Sequence, residues 1–177
     1  LSGCFFREPE DLYQSPEQSA DYLSLTQTIR NVKDSLAQEY GVEVEDVSVM
    51  SGDNTALIQL QDLDRDGERE TAVTFFRVSE AEKPLKIYFF TRTAEDTYTV
   101  SAMVEGNGTA IYRVDYVDLN GSGCKEVVVS WQMSTGVYLL GAYSLEEAMV
   151  RSLQYAASAP AGSASAQGLP DREALRA

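Results

Sequence analysis

The chain has 177 residues, 44% of them hydrophobic, enough for one sizeable core or two small ones. Fourteen basic against 28 acidic residues leave a net charge of −14, spread along the chain, which argues against nucleic acid and against electrostatic adhesion to anionic lipid. Histidine is absent, which excludes Ser-His-Asp and Cys-His catalysis and imidazole ligation, and two cysteines, Cys4 and Cys124, cannot form a four-thiolate zinc site.

Any metal must therefore be held by oxygen, with calcium ahead of magnesium or manganese. No stretch reaches the roughly 20 apolar residues of a transmembrane helix. The opening Leu1-Ser2-Gly3-Cys4 resembles a bacterial lipobox, in which a small residue precedes a cysteine that becomes lipidated. Residues 1–14 are accordingly expected to be a lipidated start, with Cys4 as the modified residue, followed by a polar tether; the bland alternative is a chance tetrapeptide.

Residues 15–41 carry a helix signature. Ser15 can cap, Pro16 suits the first turn and Gln18 completes a capping box. Tyr22, Leu25, Ile29, Val32, Leu36 and Tyr40 then recur at steps of three or four, and Gly41 supplies the terminating residue. A single apolar stripe of this kind is expected to dock on the body of the protein rather than on a partner.

From Val42 the period becomes strand-like, with Val42, Val44, Val47 and Val49 in rough alternation before the turn cluster Ser51-Gly52-Asp53-Asn54. Eight strands are expected at about 55–61, 71–78, 85–92, 97–104, 110–117, 126–133, 136–143 and 148–155, all rich in Val, Ile, Tyr, Phe and Thr. The β domain thus spans 42–155. Residues 156–177 open with AASAPAGSASAQG, which offers almost nothing to bury and predicts a low-complexity tail.

An internal repeat is the most informative feature. Asp62-Leu63-Asp64-Arg65-Asp66-Gly67-Glu68-Arg69-Glu70 leads into an apolar strand, and so does Asp118-Leu119-Asn120-Gly121-Ser122-Gly123-Cys124-Lys125-Glu126, 56 residues later. Oxygens at loop positions 1, 3 and 5, glycine at 6 and a backbone carbonyl at 7 (Glu68 or Cys124) are the calcium-loop pattern, with Glu70 or Glu126 closing the site. Position 12 is Val73 or Val129, inside a strand, so neither loop is an EF-hand. The first loop, with Asp62, Asp64, Asp66 and Glu70, is the stronger calcium candidate. The second has only Asp118 and Glu126 as charges, with Asn120 and Ser122 as neutral donors, and the alternative of metal-free Asx turns is more serious there. Two repeats of four strands, at about 55–104 and 110–155, predict an all-β body with one N-terminal amphipathic helix, built as two four-stranded antiparallel propeller-blade-like units, a partial β-propeller.

At these loops the sequence resembles FG-GAP/VCBS repeats of the integrin α-subunit type, over about residues 55–155, although the FG and GAP signatures themselves are missing. CFFREPEDLYQSP, the helix and DLDRDGERETAVTFF together also resemble lipoproteins of Gram-positive gut bacteria. The first resemblance implies calcium at Asp62, Asp64, Asp66 and Glu70, and at Asp118, Asn120 and Glu126. The second implies an extracytoplasmic location, with the membrane reached only through the lipid. Two blades cannot close a ring, so they are expected to pack face to face, to pair with another copy, or to be part of a longer propeller.

Among the remaining residues, Trp131, Tyr138, Phe89 and Phe90 are assigned to core rather than to a ligand-binding face. Cys124 either pairs with Cys4 or, if Cys4 is lipidated, remains a lone thiol. The function expected is a surface-anchored binding or scaffold module for a protein or glycan ligand, not an enzyme. Its rival is a glycosidase-like hydrolase working with two carboxylates.

Overall fold

The computed structural model describes residues 20–145 and the backbone of 151–158. One helix, α1 (Ala20–Tyr40), precedes β1 (Glu45–Asp46), β2 (Ile58–Gln61), β3 (Thr71–Arg77), β4 (Leu85–Arg92), β5 (Tyr98–Gly106), β6 (Ala110–Val117), β7 (Glu126–Ser134), β8 (Val137–Ser144) and β9 (Arg151–Ser158). Among the described residues the molecule is thus mostly β with one helix, as the sequence predicts. Residues 15–19 of the expected helix, Cys4 and residues 159–177 of the expected tail lie outside the described residues, whereas residues 156–158, expected to open that tail, complete β9 by pairing with β8.

The strands form two antiparallel sheets. In the first, β3, β4 and β5 run in order, and β1 and β2 share the remaining edge of β3; the second is the meander β6-β7-β8-β9. Neither sheet closes on itself, and the described residues form no propeller ring. The two sheets instead face one another across a common core.

Burial on both faces shapes the first sheet. β3 and β4, TAVTFFR and LKIYFFTR, are almost continuously apolar, the pattern of strands with no solvent-facing side. Val73, Phe75, Leu85, Ile87 and Phe89 point towards the second sheet and meet Ile111, Val114, Val127, Val129 and Trp131. The opposite face, with Ala72, Phe76, Phe90 and Tyr98, is covered by α1 through Leu25, Ile29, Val32 and Leu36. The helical stripe therefore docks where its spacing predicts. Ser24 and Thr28 also bind the backbone of Tyr98, Ser24 Oγ accepting from its N–H at 3.1 Å and the Thr28 hydroxyl donating to its carbonyl at 3.1 Å. This satisfies part of the exposed edge of β5. Lys86, only 2% exposed, pairs with Glu105 and lies 5.6 Å from the Tyr40 ring, so a buried charge is compensated at the end of the helix.

The valine alternation from Val42 to Val49 produces only the two-residue β1, because the chain is shared between sheets there. Val47 N–H donates to Phe75 O of β3, after which Met50 and Ser51 donate to Ile111 O and Tyr112 O of β6. The segment leaves one ladder for the other before either can lengthen. A second latch lies beside it. Tyr116 Oη donates to Gln59 Oε1 at 2.6 Å, Gln59 Nε2 donates to the carbonyls of Asn54 and Ala56, and Asn54 Nδ2 reaches Val114 O. Burial holds the Tyr116 phenol well above its ordinary range.

Trp131, Phe89 and Phe90 are core residues, as expected. Tyr138 is not: it is half-buried on the outer face of the second sheet, its ring 4.7 Å from that of Tyr112. Trp131 sits at the sheet interface, its Nε1–H donating to Tyr143 Oη at 3.1 Å. Gly106 makes room for it, since a Cβ there would fall 2.5 Å from the indole ring. Gly106→Ala should therefore lower unfolding stability by about 1–3 kcal/mol in urea denaturation. An unchanged midpoint would show that the indole is free to move aside.

Candidate metal centre

The two Asp/Gly loops occupy equivalent places, between the first and second strands of each four-stranded run: β2 and β3 in one, β6 and β7 in the other. They also share a hydrogen-bond pattern. In the first, Asp64 Oδ1 accepts from Asp66 N–H, Asp62 Oδ2 from Gly67 N–H, and Asp66 Oδ1 from Glu68 N–H, at 3.2, 3.0 and 2.8 Å. In the second, Asn120 Oδ1 accepts from Ser122 N–H, Asp118 Oδ2 from Gly123 N–H, and Ser122 Oγ from Cys124 N–H, at 2.7, 3.0 and 3.3 Å.

The backbone torsions repeat as well. Position 6 is left-handed in both (Gly67 φ 100°, Gly123 φ 96°), as is position 4 (Arg65 φ 63°, Gly121 φ 72°). Glycine makes that conformation cheap at Gly121, whereas Arg65 holds it against steric cost.

Charge compensation is where the copies part. One carboxylate oxygen from each of Asp62, Asp64, Asp66 and Glu70 lies within 4.8 Å of all the others. Oxygens on opposite sides of a calcium ion stand roughly 4.6–5.2 Å apart, twice the usual ligand distance. Asp62 Oδ1 and Glu70 Oε2 are buried and have no hydrogen-bond partner among the described residues. Ionised carboxylates only accept, so no rearrangement among these four can satisfy those oxygens. A hard cation can, and the donor set fits calcium.

In the second loop the neutral residue supplies what the first lacks. Asn120 Nδ2 donates to Glu126 Oε1 at 2.6 Å and Leu119 N–H donates to Glu126 Oε2 at 2.8 Å. Glu126, 7% exposed, is thereby satisfied on both oxygens, while Asp118 Oδ1 remains buried and unpartnered. An amide sits where the first loop has the Asp64 carboxylate.

The loops also touch. Lys125 N–H donates to Leu63 O at 2.7 Å, and Arg65 Nη1 lies 3.6 Å from Asp118 Oδ2. The Glu68 side chain turns outward to Arg92 (2.8 Å), whose other terminal nitrogen approaches Asp21 of α1 at 3.8 Å. Cys124 is half-buried with its thiol free, and Cys4, the expected lipidation site and the alternative partner for Cys124, is outside the described residues. Sequence reasoning placed the ligand candidates but missed the Asn120–Glu126 bond, whose only signal was asparagine replacing aspartate at position 3. It also missed Arg92 and the contact between loops. No family model, curated protein or solved structure matches the chain.

The order of two alanine substitutions should invert with calcium. In chelator, Asn120→Ala should cost about 1–3 kcal/mol by stripping a donor from a buried carboxylate, while Asp64→Ala relieves repulsion and costs less. In millimolar calcium Asp64→Ala should become the more damaging. Thermal scans of both variants in both conditions check this, and an order indifferent to calcium would mean both loops are metal-free turns.

Proposed function

We propose that this chain is an extracytoplasmic binding or scaffold module whose first Asp/Gly loop holds calcium. The observation that carries the metal is the pair of buried, unpartnered oxygens, Asp62 Oδ1 and Glu70 Oε2, within a four-carboxylate cluster. Asp62, Asp64, Asp66 and Glu70 would hold the ion, which supplies positive charge and an organising centre for the turn into β3. The second loop, with Asn120 already bonded to Glu126, has less need of one.

The two meanders, 58–106 and 110–158, are further proposed to be copies of one blade-like unit of the FG-GAP/VCBS type. The shared loop position, hydrogen bonds and torsions support that relationship. Anchoring through a lipidated Cys4 rests on Leu1-Ser2-Gly3-Cys4 alone. The partner is a protein or glycan.

Calcium at 100 times its Kd should stabilise the fold by about 2.7 kcal/mol through linkage, raising Tm by roughly 5–10 °C for a chain this size. Differential scanning with calcium and with chelator measures the shift, and Asp62→Asn should reduce it. A midpoint that does not respond to millimolar calcium removes the ion from the proposal.

A further inference from the structure

A polar cleft of about 500 Å³ borders the first loop, within the size range of ligand sites. Asp62 forms part of its wall, so an ion held by the carboxylate cluster would stand at the cleft's margin. Arg69 and Lys125 line it from the two separate Asp/Gly loops. Among the described residues neither side chain makes an ion pair or hydrogen bond, in a chain where acids outnumber bases by two to one. Gln61 contributes an amide with no partner among the described residues. Asn54, whose Nδ2 is committed to Val114 O, retains its Oδ1 as an acceptor. Leu60, 43% exposed, is the apolar element.

We infer that this cleft binds an acidic saccharide, with Arg69 and Lys125 receiving a uronate carboxylate and Asn54 and Gln61 meeting ring hydroxyls beside the calcium-loaded loop. The inference rests in part on the calcium reading, since the ion would cancel half the charge of the four carboxylates beside the cleft and so lower their repulsion of an anion. The physical basis is selective compensation. A net charge of −14 repels an anion over most of the surface, so uncompensated cations in a concave site define where one can settle. Guanidinium and ammonium groups provide donors for the carboxylate, and amides can both donate to and accept from hydroxyls. A cleft so polar, with one leucine and no aromatic ring in its lining, suits a hydroxylated ligand better than an apolar peptide side chain. The pairing also accounts for the contact between loops, because Lys125 N–H on Leu63 O carries the second-loop lysine to the first-loop site.

The test is isothermal titration of the full chain with trigalacturonate in millimolar calcium, alongside maltotriose and hexaglutamate. Trigalacturonate should bind, and maltotriose should bind at least 10-fold more weakly. Arg69→Gln and Lys125→Gln should each weaken trigalacturonate at least 10-fold while leaving the calcium-dependent rise in Tm in place, which separates a lost cleft from a lost fold or a lost ion. Absent trigalacturonate binding by protein that still responds to calcium overturns the inference, as does equal binding of maltotriose or hexaglutamate. If calcium produces no response, titration in chelator decides separately: binding that still depends on Arg69 and Lys125 sustains the cleft without the ion, and no binding overturns both.

Discussion

A carboxylate oxygen can accept a hydrogen bond but cannot offer one, and the seam between the sheets is organised around that limit. Two loops that share left-handed torsions at positions 4 and 6 each bring acidic side chains together where a strand begins. Backbone N–H groups satisfy some of the oxygens in the same pattern in both copies. The remaining demand needs positive charge or a further donor. The second loop meets it partly from within, through the Asn120 amide on Glu126, and partly from the first loop, where Arg65 faces Asp118. In the first loop Asp64 and Glu70 are both acceptors, and Glu70 Oε2 is left buried without a donor. One residue type at position 3 decides whether the closing glutamate is satisfied on both oxygens, as Glu126 is, or left with a buried unpartnered one, as Glu70 is; the position-1 aspartate keeps such an oxygen in both loops.

The layered packing keeps those loops in register. β3 and β4 are apolar on both faces because the helix covers one and the second sheet the other, so the first sheet is the middle layer. The strands that follow the two loops, β3 and β7, both contribute to the core between the sheets, through Val73 and Phe75 and through Val127, Val129 and Trp131. Each loop is thus fastened to a strand that cannot shift without opening that core. The crossing segment from Val47 to Ser51 and the Tyr116–Gln59–Asn54 latch fasten the same edge of the sandwich with backbone and side-chain hydrogen bonds. The loops therefore meet as neighbours with a polar cleft beside them, although they lie 56 residues apart in sequence.

Much of this was legible in the chain itself. The three-and-four spacing from Tyr22 to Tyr40 located the helix and its docking face, and runs of Val, Ile, Phe and Tyr between Asp/Gly punctuation located the strands from Thr71 to Ser144 within a residue or two, with the last strand, expected at 148–155, displaced by three to 151–158. The loops were legible because calcium-type turns need particular residues at particular positions: oxygens at 1, 3 and 5, and glycine where φ is positive. Those are local requirements, and local requirements leave a mark on sequence. The strand expected at 55–61 begins only at Ile58, and the valines from Val42 give a two-residue β1, because pairing there is divided between sheets that lie far apart along the chain.

The sequence by itself determined the helix, most of the strands after the first loop, the matching pattern of the two loops and the absence of histidine chemistry, since composition, periodicity and turn stereochemistry act over a few residues. Tertiary structure decided that, of the arrangements open to two four-stranded units, the sheets face each other, that Tyr138 stands on an outer face, that Glu68 turns towards Arg92, and that the Asn120 amide donates to Glu126. It also decided which cations would lack partners around a shared cleft. Those outcomes depend on which side chains meet after the sheets stack, and contacts between residues distant in the chain carry no local periodicity from which they can be read.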